Sequence, residues 1–272
     1  MLMKGLTLHQ GSSPLIISFP HSGTELTEGL CERLTERAVG VPDTDWHVPQ
    51  LYDFATHLDA SRIHAKYSRY VIDMNRDPSG ASLYPGQATT DLVPTELFDG
   101  APIYRDGQAP SDAEIEDRRQ QYHQPYHEAL TELIATGKAR HGYAVLWDAH
   151  SIASVVPRLF KGQLPDLNLG TNGGTTCAPG VQERAIKSMS AQPHYKTIAN
   201  GRFKGGWITR NYGDPDNNIH ALQMEIAQTA YMLESPPWTF DEDKAAQLRP
   251  VLKSMIEAAL DAAKTLNEET AR

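Results

Sequence analysis

The 272-residue chain carries a formal net charge of −9, with 40% hydrophobic, 8% aromatic and 22% charged residues. That is the balance of a soluble globular protein long enough to bury a core without staples, and the acidic excess excludes the extended basic face that a nucleic-acid partner requires. Two cysteines, Cys31 and Cys177, form no disulfide framework or CxxC metal motif, no apolar run approaches the ~18 residues of a membrane span, and the start MLMKGLTLHQG is too short and polar for a signal peptide, so the expectation is one cytoplasmic domain over residues 1–272 with no membrane partner.

In chain order, the apolar run Leu15-Ile16-Ile17-Ser18-Phe19 predicts a buried strand that breaks at Pro20-His21-Ser22-Gly23. Helical spacing follows over residues 25–36 and 46–58, and strand patterns over 62–65 and 70–74. Residues 77–107 are rich in Pro, Gly, Thr and Asp with little periodicity, the composition of a functional loop, and a lid over a site is one role for it. The strongest helix is predicted over 111–136, with Ser111 as N-cap of an S-D-A-E box. A strand at 143–147 runs into Asp148-Ala149-His150-Ser151. Residues 162–179 are irregular and include L-G-T-N-G-G-T-T, whose glycines lack the lysine of a phosphate-binding loop. A helix over 180–192, strands over 195–199 and 221–226, and a helix over 241–265 interrupted before Pro250 complete the pattern. Strands interleaved with helices imply an α/β fold with a mixed, largely parallel sheet covered on both faces.

Ligands in open α/β sheets collect at the carboxyl ends of the strands. Two strands deliver His21 and His150 to that edge and a third carries Glu225. A catalytic zinc site takes three protein ligands and keeps a position for water. The third ligand is Asp43 or Asp45 in P-D-T-D-W, either of which could instead cap the helix that follows. Glu225 lies in a buried strand, where an unpartnered carboxylate is costly, and a cation beside it would hold it ionised as a general base. His123 and His127 have i, i+4 spacing but no HExxH context, and a structural role is favoured for them. Arg69, Asn75 and Arg76 in R-Y-V-I-D-M-N-R, and Arg210 after G-G-W-I-T, suit an acidic substrate, because a guanidinium binds carboxylates through a planar fork; Arg69 could instead pair with Asp73. There is no G-x-S-x-G elbow, no nucleophilic cysteine context and no G-x-G-x-x-G fingerprint.

At F-P-H-S-G (19–23), D-T-D-W (43–46), R-Y-V-I-D-M-N-R-D (69–77), W-D-A-H-S (147–151), D-L-N-L-G-T (166–171) and G-G-W-I-T-R-N-Y-G (205–213), the chain resembles the N-formylglutamate amidohydrolase (N-formylglutamate deformylase) family over nearly its whole length. The resemblance implies a three-layer α/β/α fold distantly like zinc carboxypeptidases and other phosphorylase/hydrolase-type sheets. It also implies one zinc ion on His21, Asp45 and His150, with Asp45 preferred because it immediately precedes Trp46. The HxxE pattern of the carboxypeptidases is absent, since Thr24 stands where the glutamate would be. By the same resemblance Glu225 is the base, and Asn75-Arg76 and Arg210, with Arg69 in reserve, hold the carboxylates of a small anionic N-acyl amino acid. The implied reaction is hydrolysis of N-formyl-L-glutamate at the last step of histidine degradation. A zinc deacylase for another acidic N-acyl amino acid, a non-catalytic binder of acidic metabolites and a closed structural metal site are the alternatives. Cobalt or manganese would suit the same donor set as zinc.

Overall fold

The computed structural model describes residues 5–81 and 90–270. Seven strands form one sheet in the order β1-β3-β2-β4-β7-β5-β6. They are β1 (Leu6–His9), β2 (Leu15–Phe19), β3 (Ser61–Ala65), β4 (Ala144–Ile152), β5 (Leu167–Gly170), β6 (Thr197–Ala199) and β7 (Ile219–Ala227). The central four, β3-β2-β4-β7, are mutually parallel. β1 runs antiparallel to β3, and β5 runs antiparallel to β7 with β6 parallel beside it. The sheet is therefore mixed and largely parallel, as expected.

Every residue of β2 and β4 is buried, as required of parallel strands covered on both faces. Successive side chains alternate between two cores. Leu15, Ile17, Phe19, Val145, Trp147, Leu222 and Met224 pack on α6 (Pro179–Ser190) and α8 (Glu242–Thr270). Ile16, Ala144, Leu146 and Ala221 face the opposite layer, where α5 (Gln124–His141) contributes Leu130, Leu133 and Ile134. These are the three layers.

Several elements differ from the sequence pattern. The 25–36 signal resolves into two single turns, Leu30–Arg33 and Glu36–Val39, because Leu34 is extended and the Thr35 side chain caps the second turn by accepting the Ala38 N–H. The 46–58 signal becomes Val48–Leu51 and a 3₁₀ turn at Asp53–Thr56, with His47 at φ 59° as the first cap, so neither Asp43 nor Asp45 caps it. Residues 70–74 are not a strand. Ser111 does cap its helix, accepting the Glu114 N–H at 3.3 Å; that helix runs as Asp112–Arg118, a π-turn at Arg119–His123, and α5. α8 continues through Pro250 unbroken, since Leu248, Val251, Leu252 and Met255 are buried on both sides of the proline and their packing outweighs the lost backbone hydrogen bond. β1 and β5 had no counterpart in the pattern. Residues 82–89 of the 77–107 segment lie outside the described residues; the flanking 77–81 and 90–93 line a cavity at the sheet edge.

The turn after β2 is packed without slack: a Cβ on Gly23 would stand 2.3 Å from the Tyr67 carbonyl oxygen. Gly23→Ala is accordingly expected to destabilise the fold by about 1–3 kcal/mol, as overpacking does, read as a lowered urea midpoint at unchanged slope.

Candidate metal centre and its cavity

At the carboxyl ends of β2, β4 and β7 lies a cavity of about 480 Å³, lined by His21, Asp45, Arg69, Asn75, Arg76, His150, Arg202, Gln223 and Glu225 among others. Its polar floor follows from register. In β4 and β7 Asp148 stands opposite Gln223 and His150 opposite Glu225, and the two-residue period of a strand puts all four on one face. β2 lies on the other side of β4, with Ser18 opposite Asp148, and places His21 two residues beyond its end.

His21, Asp45 and His150 converge. Their donor atoms lie within 4.8 Å of one another, and among the described residues they are the group of histidine, cysteine and carboxylate side chains able to hold a metal ion. All three are buried, at 2–4% exposure. Asp45 Oδ2 is 2.9 Å from His150 Nδ1 and 3.8 Å from His21 Nδ1. The far ring nitrogens have carboxylates of their own: His21 Nε2 is 2.6 Å from Asp73 Oδ1 and His150 Nε2 is 3.0 Å from Asp148 Oδ2. A carboxylate on one ring nitrogen fixes the tautomer and leaves the other nitrogen as a metal donor. Two imidazoles and a carboxylate oriented in this way are a donor set that suits a divalent ion. Of the two aspartates it is Asp45 that stands with the histidines, while Asp43 Oδ2 accepts from the Tyr70 hydroxyl at 2.8 Å and the Phe98 N–H at 3.0 Å.

The charges around the triad act unequally on its members. Burial and the Arg69 guanidinium, 3.3 Å away, lower the pKa of His21. Burial would lower His150 too, but Asp148 and Asp45, one on each ring nitrogen, outweigh it and raise it. For Asp45 burial raises the pKa, but the His150 hydrogen bond together with the charges of His21, His150 and Arg69 outweighs it and holds the carboxyl below its usual range. Glu225, 6% exposed, is pushed up to about 8 by burial. The Gln223 amide donates to Glu225 Oε2 at 3.1 Å, while its own oxygen accepts the Gly206 N–H at 2.5 Å.

The arginines divide. Arg69 and Arg76 line the cavity, and Arg69 Nη2 donates to Asp73 Oδ2 at 2.6 Å. Arg210 is not among the lining residues: it sits one turn into the helix Trp207–Tyr212, beyond the lining Gly206, and its Nε donates back to the Gly205 carbonyl at 2.8 Å. Arg202 lines the cavity instead. Asn75 lines the cavity with its amide held by neighbours, Nδ2 lying 3.0 Å from His150 Nε2 and 3.3 Å from Asp148 Oδ2 and Oδ1 accepting the Ile208 N–H at 2.7 Å. Asp148, Gln223 and Arg202 were missed in the sequence. Asp148 and Gln223 were legible there, each two residues before a singled-out residue on the same strand; Arg202 carried no signal. His123 and His127 lie outside the cavity and outside the triad.

The family model described as N-formylglutamate amidohydrolase matches residues 13–232. The N-formylglutamate deformylase of Pseudomonas putida is 49% identical over 257 residues, covering 94% of this chain and 96% of its own. That of Pseudomonas aeruginosa is 48% identical over 255 residues, with the same coverage. The crystal structure of N-formylglutamate amidohydrolase from Ralstonia eutropha superposes with a TM-score of 0.78 at 26% identity, covering 98% of this chain and all of that one. A gene product of Agrobacterium tumefaciens, at a TM-score of 0.73 and 15% identity over 95% of this chain and 96% of that one, shares the fold.

Removing an orienting carboxylate frees the ring behind it. Asp148→Asn is expected to weaken divalent-metal binding by about 10–100-fold, measured by competition against a chelator with the bound metal quantified by elemental analysis.

Proposed function

The chain belongs to the N-formylglutamate amidohydrolase family and is a hydrolase acting on an amide; from that premise we propose that it hydrolyses N-formyl-L-glutamate to formate and L-glutamate. The observation that carries the proposal is one cavity in which a three-residue donor set, a buried carboxylate and three guanidinium groups meet. His21, Asp45 and His150 would hold a divalent ion, for which we propose zinc, and it would supply Lewis acidity to the amide carbonyl and to the attacking water.

The chain's own groups do the rest. Glu225 takes a proton from the attacking water and delivers it to the departing amine nitrogen. Burial pushes its carboxyl up to about 8, and a cation held by the neighbouring ligands would favour the ionised form that accepts a proton. Gln223 holds the carboxylate by donating to Oε2. Arg76 and Arg202 take the two substrate carboxylates as bidentate partners, in place of the Arg76–Arg210 pair expected from the sequence. Arg69, buried with its Nε unpartnered, supplies positive charge beside the triad for the oxyanion that develops on the amide oxygen. We extend the reading to a cytoplasmic enzyme at the last step of histidine degradation, as the family resemblance implies.

The test is formate release from N-formyl-L-glutamate, with N-acetyl-L-glutamate alongside. Fast release confined to the formyl substrate and abolished by a chelator is expected; release from both substrates at similar rates would replace the reading with a general deacylase of acidic N-acyl amino acids. Glu225→Gln is expected to retain its metal while kcat drops by about 10²–10⁴-fold, the contribution of a positioned acid–base group. A variant turning over at the parent rate would refute the role given to Glu225.

A further inference from the structure

Residues 70–76 carry both Asn75 and Arg76, yet they form no strand, so their carbonyls need partners elsewhere. One helical stretch supplies partners for three of them. Arg118 Nη1 donates to the Val71 carbonyl at 2.9 Å, the His127 ring meets the Met74 carbonyl through Nε2 at 2.8 Å, and the His123 ring meets the Arg76 carbonyl through Nε2 at 3.1 Å. The two imidazoles thus hold the carbonyls on either side of Asn75. The π-turn Arg119–His123 opens the helix between Arg118 and α5, and the His123 and His127 rings pack with centroids 4.2 Å apart. Single π-turns inside α-helices recur at functional sites.

An imidazole nitrogen facing a carbonyl must carry the proton. Burial depresses the pKa of both rings, so each donates as the neutral Nε2–H tautomer. For His127 the remaining Nδ1 meets the Tyr212 hydroxyl at 3.0 Å, which completes the ring's hydrogen bonding. Neither ring lines the cavity, but everything between the two clamped carbonyls does or supports it: Asn75 braces Asp148 behind His150, and Arg76 enters the cavity wall.

We propose that His123 and His127 are positioning residues for substrate binding, fixing the backbone on both sides of Asn75 so that Arg76 is presented to the substrate. This rests on the substrate-binding role proposed above for Arg76. The His123→Phe/His127→Phe double variant keeps the ring volume and removes both donors. In steady-state kinetics on N-formyl-L-glutamate with metal-loaded protein, KM is expected to rise ~10-fold with a much smaller change in kcat and unchanged metal content, and restoring His127 as Gln, whose amide nitrogen falls near the imidazole Nε2, is expected to recover most of the loss. A folded double variant with KM within about twofold of the parent overturns the proposal. Should that variant fail to fold, His127→Asn is compared with His127→Gln: the shorter amide does not reach Met74, so only Asn is expected to raise KM, and equal values overturn the proposal. If the parent enzyme releases no formate, the proposed function fails, and the clamp is read without substrate by hydrogen–deuterium exchange of peptides covering residues 70–80. Faster exchange in His127→Asn than in His127→Gln supports it, and identical exchange overturns it.

Discussion

Four carboxylates, Asp45, Asp73, Asp148 and Glu225, are buried together at one edge of the sheet, and the structure around them is arranged to make that burial tolerable. An uncompensated buried charge costs several kcal/mol or is neutralised by a shift in pKa. Asp73 is compensated by Arg69, by His21 and by the Asn75 N–H at 2.8 Å. Asp148 accepts from Ser18 at 2.9 Å and faces His150 and Asn75. Asp45 accepts the Ser151 N–H at 3.2 Å and faces both imidazoles. Glu225 has the least: one amide from Gln223, and a carboxyl that burial pushes up to about 8. A cluster with so much negative charge and two pre-oriented imidazoles is chemically matched to a divalent cation, and the same charge keeps Glu225 responsive to one.

The fold serves this cluster by register. Parallel pairing of β4 with β7 sets His150 against Glu225 and Asp148 against Gln223, so one histidine of the donor set, its orienting carboxylate, the candidate base and the glutamine that holds it share one face of two neighbouring strands. A slip of one residue would turn all four into the apolar layer. Tight packing holds the loops that complete the site. The Asp45 N–H donates to the His21 carbonyl at 3.1 Å, tying the acidic ligand to the histidine turn. On the far side a Cβ at Gly206 would lie 2.4 Å from Asn75 Nδ2, so the chain there passes directly over the amide that braces Asp148.

Irregular backbone at the site is stabilised by side chains of the helical stretch over residues 112–141, and not by a sheet ladder. Residues 70–76 are rich in apolar side chains and fully enclosed up to Asn75, the very properties that made 70–74 resemble a strand. The carbonyls of Val71, Met74 and Arg76 go to Arg118, His127 and His123 instead, while that of Asn75 accepts from Arg76 Nη1 at 2.8 Å and that of Tyr70 from the Tyr104 hydroxyl at 3.2 Å. Giving up a strand there frees the chain to turn Arg69, Asp73, Asn75 and Arg76 in different directions within eight residues, which a pleat alternating between two faces does not allow.

What the sequence by itself determined was whatever local pattern encodes. Apolar runs ending in a lone polar residue marked β2, β4 and β7, and with them His21, His150 and Glu225, because burial on both faces of a parallel strand demands apolar residues up to the point where a site begins. Motifs spread across the chain carried the family. The tertiary structure alone decided what depends on contacts distant in sequence. Asp45 rather than Asp43 joins the histidines because Tyr70 and Phe98 occupy Asp43. Arg202 rather than Arg210 reaches the cavity because a helix begins between them. β5, four residues beside a glycine-rich turn, exists because β6 and β7 pair with it on either side. α8 passes through Pro250 because packing against the sheet exceeds the loss of one helical hydrogen bond. A side chain's direction in a turn, or a short strand's existence, is set by partners tens of residues away, and one-dimensional pattern does not contain them.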